Sequence, residues 1–168
     1  MESLKAAGTN NPVRVLVVDD FAPWQSFVST ILQKQVELRI IGRASDGLAA
    51  VRYAEELHPE LILLDIGLPS LCGIEVARKI REVSPTSKIL FVSENRSVDI
   101  VEKALTTGAE GYVIKADARS ELLPAIKTVL EGKRFISASL AAHLLVATIL
   151  STPQTLLSWA VMLASGIR

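Results

Sequence analysis

The sequence predicts an α/β fold, a doubly wound parallel sheet, and three observations carry that expectation. Short aliphatic runs alternate with amphipathic helical stripes five times, each repeat taking roughly 25 residues. The run Leu61-Ile62-Leu63-Leu64 is apolar without alternation, as a strand covered on both faces requires. Four of the runs end in polar residues, at Asp19-Asp20, Asp65, Ser93 and Lys115. Ligands of open parallel sheets sit just beyond the carboxyl ends of the strands, so these residues share the expected place for chemistry.

Each element has its own signal. Val13-Arg14-Val15-Leu16-Val17-Val18 is a β-branched run stopping at Asp19-Asp20. Trp24, Phe27, Val28, Ile31 and Leu32 follow at i, i+3, i+4, i+7 and i+8, the stripe of an amphipathic helix. Leu38-Arg39-Ile40-Ile41-Gly42 is a second strand. Asp46-Gly47 turns the chain into a helix through Val51, Ala54 and Leu57, which Pro59 terminates. After the Leu61–Asp65 strand, Gly67 and Pro69 form a loop, and Ile74, Ala77 and Ile80 mark a helix closed by Ser84-Pro85. Lys88–Ser93 is the fourth strand. Ser97 is placed as N-cap of a helix bearing Val98, Val101, Ala104 and Leu105, which ends at Gly108. Gly111–Lys115 is the fifth strand, and Ser120–Glu131 a helix through Leu122, Ile126 and Val129.

Composition narrows the function classes. In 168 residues, 49% are hydrophobic and 21% charged, which describes a folded domain with a core. Eighteen basic residues cancel eighteen acidic ones, so no global field draws the chain to nucleic acid or anionic lipid. The single cysteine, Cys72, excludes an internal disulfide framework, fits a reducing compartment, and reads as a small inert residue near a helix start. The first twelve residues are polar, neither a signal peptide nor an anchor, and are expected to be frayed. No Gly-x-Gly-x-x-Gly follows the first strand and no glycine loop precedes a Walker-type lysine, which disfavours nucleotide binding.

The strand ends themselves suggest phosphoryl chemistry. Asp19, Asp20 and Asp65 brought close together repel, and a cation relieves that repulsion. Oxygen ligands without His or Cys suit Mg²⁺. Ser93 and Lys115 on adjacent strands supply a hydrogen bond and a positive charge to an incoming phosphoryl group. A carboxylate then serves as nucleophile, and Asp65, central among the strand ends, is assigned that role. For Asp65 alone, capping of the next helix is the alternative reading.

Asp19/Asp20, Asp65-Ile66-Gly67-Leu68-Pro69, Gly73, Ser93 and Lys115 together resemble the receiver domain of two-component response regulators, over about Val13 to Gly132. The resemblance implies a five-stranded flavodoxin-like sheet of order 2-1-3-4-5. It implies Mg²⁺ on Asp19, Asp20, Asp65 and the Gly67 backbone carbonyl, and a phosphoryl group passed to Asp65 from a sensor histidine kinase. Ser93 and Tyr112 would be the switch pair, altering the face formed by the fourth helix, fifth strand and fifth helix. Gly67 and Asn95 would modulate the lifetime of the acyl phosphate. Such domains often carry Pro after the lysine; here Lys115 is followed by Ala116-Asp117-Ala118, a pattern resembling the branch that carries a LuxR-type helix-turn-helix. Without that proline, the peptide bond after Lys115 is trans or holds a costly cis form.

The domain division expected is a frayed segment 1–12, a receiver 13–132 and an apolar tail 133–168 of two short helices. From Phe135 to Ile167 there is no Asp, Glu, Lys or Arg. Leu140 to Leu150 is apolar nearly all round, apart from His143 and Thr148, and Thr152-Pro153 opens a second helix ending near Gly166. A helix apolar on every side must be buried in something. Each piece is shorter than the ~20 residues of a membrane span, so self-association or packing on the receiver ranks ahead of a membrane. His143 is read as a helix-surface residue. Thr152-Pro153 and Leu163-Ala164-Ser165-Gly166 faintly resemble the start of a LuxR-type domain. The charges and recognition helix that DNA binding needs are absent from the tail, which argues against DNA binding by this chain.

The expected function is therefore a cytoplasmic phosphoacceptor switch with only self-phosphorylation and self-dephosphorylation chemistry. Its expected partners are a sensor histidine kinase and a second copy, met through the face just described or through the tail. A truncated or degenerate LuxR-type transcription regulator is the main alternative. An aspartyl-phosphate phosphatase of the haloacid-dehalogenase type ranks below it, because that chemistry wants Asp-x-Asp and Phe21 follows Asp19-Asp20.

Overall fold

The computed structural model describes residues 11–150. The expectation of a frayed segment 1–12 and that of a second tail helix fall largely or wholly outside them. Strands β1 (Val13–Val18), β2 (Leu38–Ala44), β3 (Leu61–Leu64), β4 (Lys88–Ser93) and β5 (Gly111–Ile114) alternate with helices α1 (Ala22–Leu32), α2 (Gly47–Leu57), α3 (Gly73–Val83), α4 (Val98–Thr106) and α5 (Ala118–Leu130). Two further elements, β6 (Phe135–Ile136) and α6 (Ala138–Leu150), close the chain described. All strand pairs are parallel, in the order β2-β1-β3-β4-β5-β6.

The period-2 alternation of the central strands sorts the core into two layers. Leu16, Val18, Ile62, Leu64, Phe91 and Tyr112 pack with Ala50, Ala77, Ile80 and Val101 of α2, α3 and α4. Val15, Val17, Leu61, Leu63, Leu90 and Val92 pack on the other face with Val28, Leu32, Leu122 and Ile126 of α1 and α5. Residues Leu61 to Leu64 are at most 3% exposed, so the unbroken apolar run has its expected cause in burial from both sides.

Local signals explain most boundaries. Asp46 caps α2 by accepting the Ala49 N–H at 2.9 Å. His58, left-handed at φ 44°, ends that helix before Pro59. Gly108, at φ +83°, supplies the turn after α4. Ser97 occupies the N-cap of α4, but its hydroxyl makes no capping bond; Asn95 Oδ1 instead accepts the Ser97 N–H at 2.9 Å. Cys72 is exposed at the start of α3. Pro124 lies inside α5 without ending it, on the exposed side.

Two features differ from the expectation. The fifth strand stops at Ile114, and Lys115–Asp117 form one turn of 3-10 helix leading directly into α5. That turn needs no proline; every peptide bond among the described residues is trans. A sixth strand extends the sheet beside β5, with Gly111 opposite Phe135 and Tyr112 opposite Ile136. The tail thus opens with a strand before its helix. α6 then packs on α4, burying Leu140 (1% exposed) and Leu144 (3%) while Leu145 and Val146 stay exposed. His143 is on the helix surface, as expected. No helix among the described residues is long and apolar enough to cross a membrane.

Candidate functional site

The carboxyl ends of β1, β3, β4 and β5 meet at one rim. The parallel register puts Val18 beside Leu64, Leu64 beside Phe91, and Ser93 beside Ile114, so the residues that follow each strand converge. The backbone continues the ladder one step: the Asp19 N–H donates to Ala44 O (3.0 Å) and the Asp65 N–H to Val18 O (2.9 Å). Asp19 and Asp65 are thereby held on rigid strand ends, 2% and 8% exposed, while Asp20 faces solvent.

Asp19, Asp20 and Asp65 each offer a carboxylate oxygen within 4.8 Å of the others. Asp19 Oδ1 accepts the Phe21 N–H (2.9 Å) and Asp65 Oδ1 the Ile66 N–H (2.7 Å), which fixes both planes. Lys115 bridges the remaining oxygens, its Nζ 2.6 Å from Asp19 Oδ2 and 3.2 Å from Asp65 Oδ2. The shorter contact is an ion pair without hydrogen-bond alignment, so Asp19 Oδ2 is a buried oxygen with no hydrogen bond. An all-oxygen donor set fits a small hard cation.

The charges are mutually perturbed. Burial raises the Asp19 carboxyl above its ordinary range, and the neighbouring Asp65 adds to the rise against the opposing pull of Lys115. Burial pulls the Lys115 ammonium down, but its close pairing with Asp19 and the charge of Asp65 outweigh that, and the net shift is upward. The ion pair therefore keeps Lys115 charged.

A cavity of about 600 Å³ opens beside these groups, lined among others by Asp20, Asp65, Gly67, Ser93, Asn95 and Lys115. Ser93 is 3% exposed, and its Oγ accepts the Asn95 N–H at 3.2 Å. Gly67 is exposed, and a Cβ built there meets nothing within 4 Å, so a side chain at this position would extend into open space. Tyr112 is fully buried, tilted against Phe91 at 6.1 Å, and its hydroxyl donates to Asn95 O at 2.8 Å. Burial pushes the Tyr112 phenol up to about 12. The candidate site residues Asp19, Asp20, Asp65, Gly67, Ser93, Asn95 and Lys115 are thus gathered here, with Tyr112 behind the loop that follows Ser93.

Gly73, quoted from the sequence as part of the motif and the first residue of α3, passes so close to the loop that a Cβ would stand 2.0 Å from the Asp65 carbonyl oxygen. Sequence reasoning missed several other supports. Gln25 Nε2 donates to the carbonyls of Asp19 (2.5 Å) and Ala44 (3.2 Å), tying the first turn of α1 to the rim. Trp24, read as part of an apolar stripe, presents its ring to Lys115 Nζ at 5.1 Å. Beyond Lys115, Ser137 Oγ accepts the Ile114 N–H (2.8 Å) and donates to Glu121 Oε2 (2.5 Å), and Ser139 Oγ donates to Asp117 Oδ2 (2.5 Å). Only the position of Trp24, one helical turn beyond the paired aspartates, was a usable signal.

A twisted parallel sheet gathering acidic, hydroxyl and ammonium groups at its carboxyl rim defines a class of signalling domain. Residues 15–127 match the family described as the response regulator receiver domain, and the chain belongs to that family. It is similar to the response regulator GacA of Pseudomonas viridiflava, 32% identical over 132 residues, covering 79% of this chain and 62% of the relative. It is likewise similar to the nitrate/nitrite response regulator protein NarL of Escherichia coli K12, 32% identical over 129 residues, covering 77% and 60%. The chain thus spans about 60% of the length of these curated relatives. Among solved structures, a LuxR-family two-component response regulator from Aurantimonas sp. SI85-9A1 superposes with TM-score 0.75 at 29% identity, covering 79% of this chain and 94% of that one. The response regulator domain of Thermotoga maritima CheB gives TM-score 0.67 at 31% identity, covering 72% and 98%.

Proposed function

We propose that this chain is a phosphoacceptor switch in a two-component phosphorelay, and that Asp65 carries the phosphoryl group. The observation that carries this reading is the bridged cluster of Asp19, Asp20 and Asp65 with Lys115 at the mouth of the cavity. An Asp65 carboxylate oxygen attacks phosphorus, a P–O bond forms, and the bond to the donor's leaving atom breaks with its electron pair. Asp19, Asp20, Asp65 and the Gly67 carbonyl would hold Mg²⁺, which when bound would offset charge on the transferring oxygens. Lys115 and the Ser93 hydroxyl bind the phosphoryl oxygens. Because Ser93 Oγ is bonded to the Asn95 N–H and Tyr112 to the Asn95 carbonyl, recruitment of the hydroxyl disturbs one short loop that the buried ring also holds. Ser93 and Tyr112 are thus the switch pair, and Asn95 and Gly67, lining the approach to Asp65, set the lifetime of the phosphate.

A sensor histidine kinase is the proposed donor, residues 13–132 the receiver and 133–168 its extension, in a cytoplasmic setting. The only chemistry of the chain is its own phosphorylation and dephosphorylation. α6 covers part of α4, so a homodimer forms either beside it on the face of α4, β5 and α5, or through the exposed Leu145 and Val146. Incubation with Mg²⁺ and a small phosphodonor yields an acid-stable, base-labile phosphoprotein, and Asp65→Asn abolishes it. Equal labelling of the variant refutes the assignment. The similarity to a LuxR-family response regulator and to the longer NarL favours one second reading, a receiver belonging to a transcription regulator. A salt-dependent shift of duplex DNA by this chain would support it.

A further inference from the structure

We infer that Trp24 is a positioning residue for Lys115, a neutral perch that keeps the ammonium at the phosphoacceptor when its carboxylate partners turn to a metal. The inference rests on the phosphoacceptor reading above and adds a residue to it.

Among the described residues, Lys115 Nζ makes two ion pairs and one ring contact: Asp19 Oδ2 at 2.6 Å, Asp65 Oδ2 at 3.2 Å and the face of the Trp24 ring at 5.1 Å to its centroid. The first two belong to the cluster suited to a divalent ion. Lys115 and such an ion are both cations drawing on the same oxygens. As Asp19 and Asp65 give their charge to a metal, their hold on the ammonium weakens and the ion repels it. A flexible four-carbon side chain is then free to turn to water, away from the phosphoryl group it must meet. The indole face is the one neighbour that cannot ligate the metal. Its quadrupole attracts a cation without a formal charge and tolerates sliding across the ring, so Lys115 can exchange carboxylate for phosphoryl oxygens while keeping this contact.

The perch is itself fixed. Trp24 lies in the first turn of α1, with its N–H bonded to Phe21 O at 3.0 Å, and its ring rests against Phe27 at 5.0 Å. The next residue, Gln25, bonds the backbone of Asp19 and Ala44. The indole is therefore placed relative to the strand that delivers Asp19. Lys115, only 10% exposed in its side chain, is desolvated enough for a cation–ring contact to exceed its surface value.

The test compares Trp24→Phe, which keeps an aromatic face, with Trp24→Leu, which keeps apolar bulk alone. Labelling by acetyl phosphate with Mg²⁺ should stay within about twofold of the parent for Trp24→Phe and slow on the order of threefold to tenfold for Trp24→Leu. Beryllofluoride affinity should follow the same order. A metal-free readout uses Trp159→Phe protein, in which Trp24 is the one remaining tryptophan. There, Lys115→Met should change the intensity of Trp24 emission, because a cation leaves its face. Parent-like labelling by Trp24→Leu overturns the inference. So does equal slowing of both variants with an equal fall in urea midpoint, which would mark mere packing, and so does unchanged emission in Lys115→Met. Labelling of Asp65→Asn removes the phosphoacceptor reading instead, whatever the Trp24 variants do.

Discussion

Replacing Ser137 with alanine removes one oxygen from a fully buried position between the sheet, α5 and the start of α6. Its hydroxyl accepts the Ile114 N–H at 2.8 Å and donates to Glu121 Oε2 at 2.5 Å. In the variant the Ile114 N–H, on a residue 1% exposed, keeps no acceptor on this side, which costs about 1–3 kcal/mol. Glu121 loses less, about 0.5–1 kcal/mol, because it retains the Ala138 N–H at 3.1 Å and is only half-buried. The expected loss is therefore about 1.5–4 kcal/mol. In a urea titration with a slope of about 2 kcal/mol per molar, the midpoint falls by roughly 1–2 M. Ser139→Ala is the control: its hydroxyl bonds Asp117 at 2.5 Å but is only partly buried, and the cost should stay near 1 kcal/mol or below. If Ser137→Ala costs under about 0.5 kcal/mol, or no more than the control, the extension is not fastened to the sheet as argued.

Gly73→Ala should destabilise by about 2–3 kcal/mol in the same titration, since its Cβ would meet the Asp65 carbonyl oxygen at 2.0 Å and the backbone must shift. The same variant should weaken Mg²⁺ binding at least roughly tenfold, because that shift moves the strand end carrying Asp65. Stability should fall as pH rises above 10. The Tyr112 phenol, raised from 10.0 to about 12, favours folding fully below its unfolded value and loses about 3 kcal/mol across that window. Lys115, also raised, adds a loss in the same direction above 10.5 as its ammonium deprotonates. Tyr112→Phe should flatten the pH 10–12 part of a urea-midpoint profile, and an unchanged profile would contradict the assignment.

Where alternation and periodicity had physical causes at short range, the sequence was readable. Leu61 to Leu64 is unbroken because both faces are covered, and Ile74, Ala77 and Ile80 recur at helical spacing because one face of α3 is covered. Parallel pairing then leaves little freedom: Asp19, Asp65 and Lys115 follow neighbouring strands, Ser93 ends the one between, and all must share a rim. The rest depends on contacts distant in sequence. β6 is two residues long, too short to show a period. Apart from Ser139, His143 and Thr148, α6 is apolar and has no continuous polar face to reveal which residues pack, so only tertiary contact selects Leu140 and Leu144 over Leu145 and Val146. Trp24 fits a core stripe equally well whether or not an ammonium lies on its ring. Lys115 reads as the last residue of an aliphatic strand, although it starts the next helical turn.

The fastening of α6 has a mechanical consequence. Thirteen helical residues make a rod of about 20 Å. Its root is gripped through Ser137 and Ser139 by Glu121 and Asp117, the latter two residues past Lys115. A ten-degree tilt at that root, such as a displaced lysine loop could impose, carries the far tip through roughly 3.5 Å, on the same rod length. A displacement of that size is comparable with the reach of one packing contact, so the bonds at the root would tie the seat of α6 on α4 to the geometry of the lysine loop.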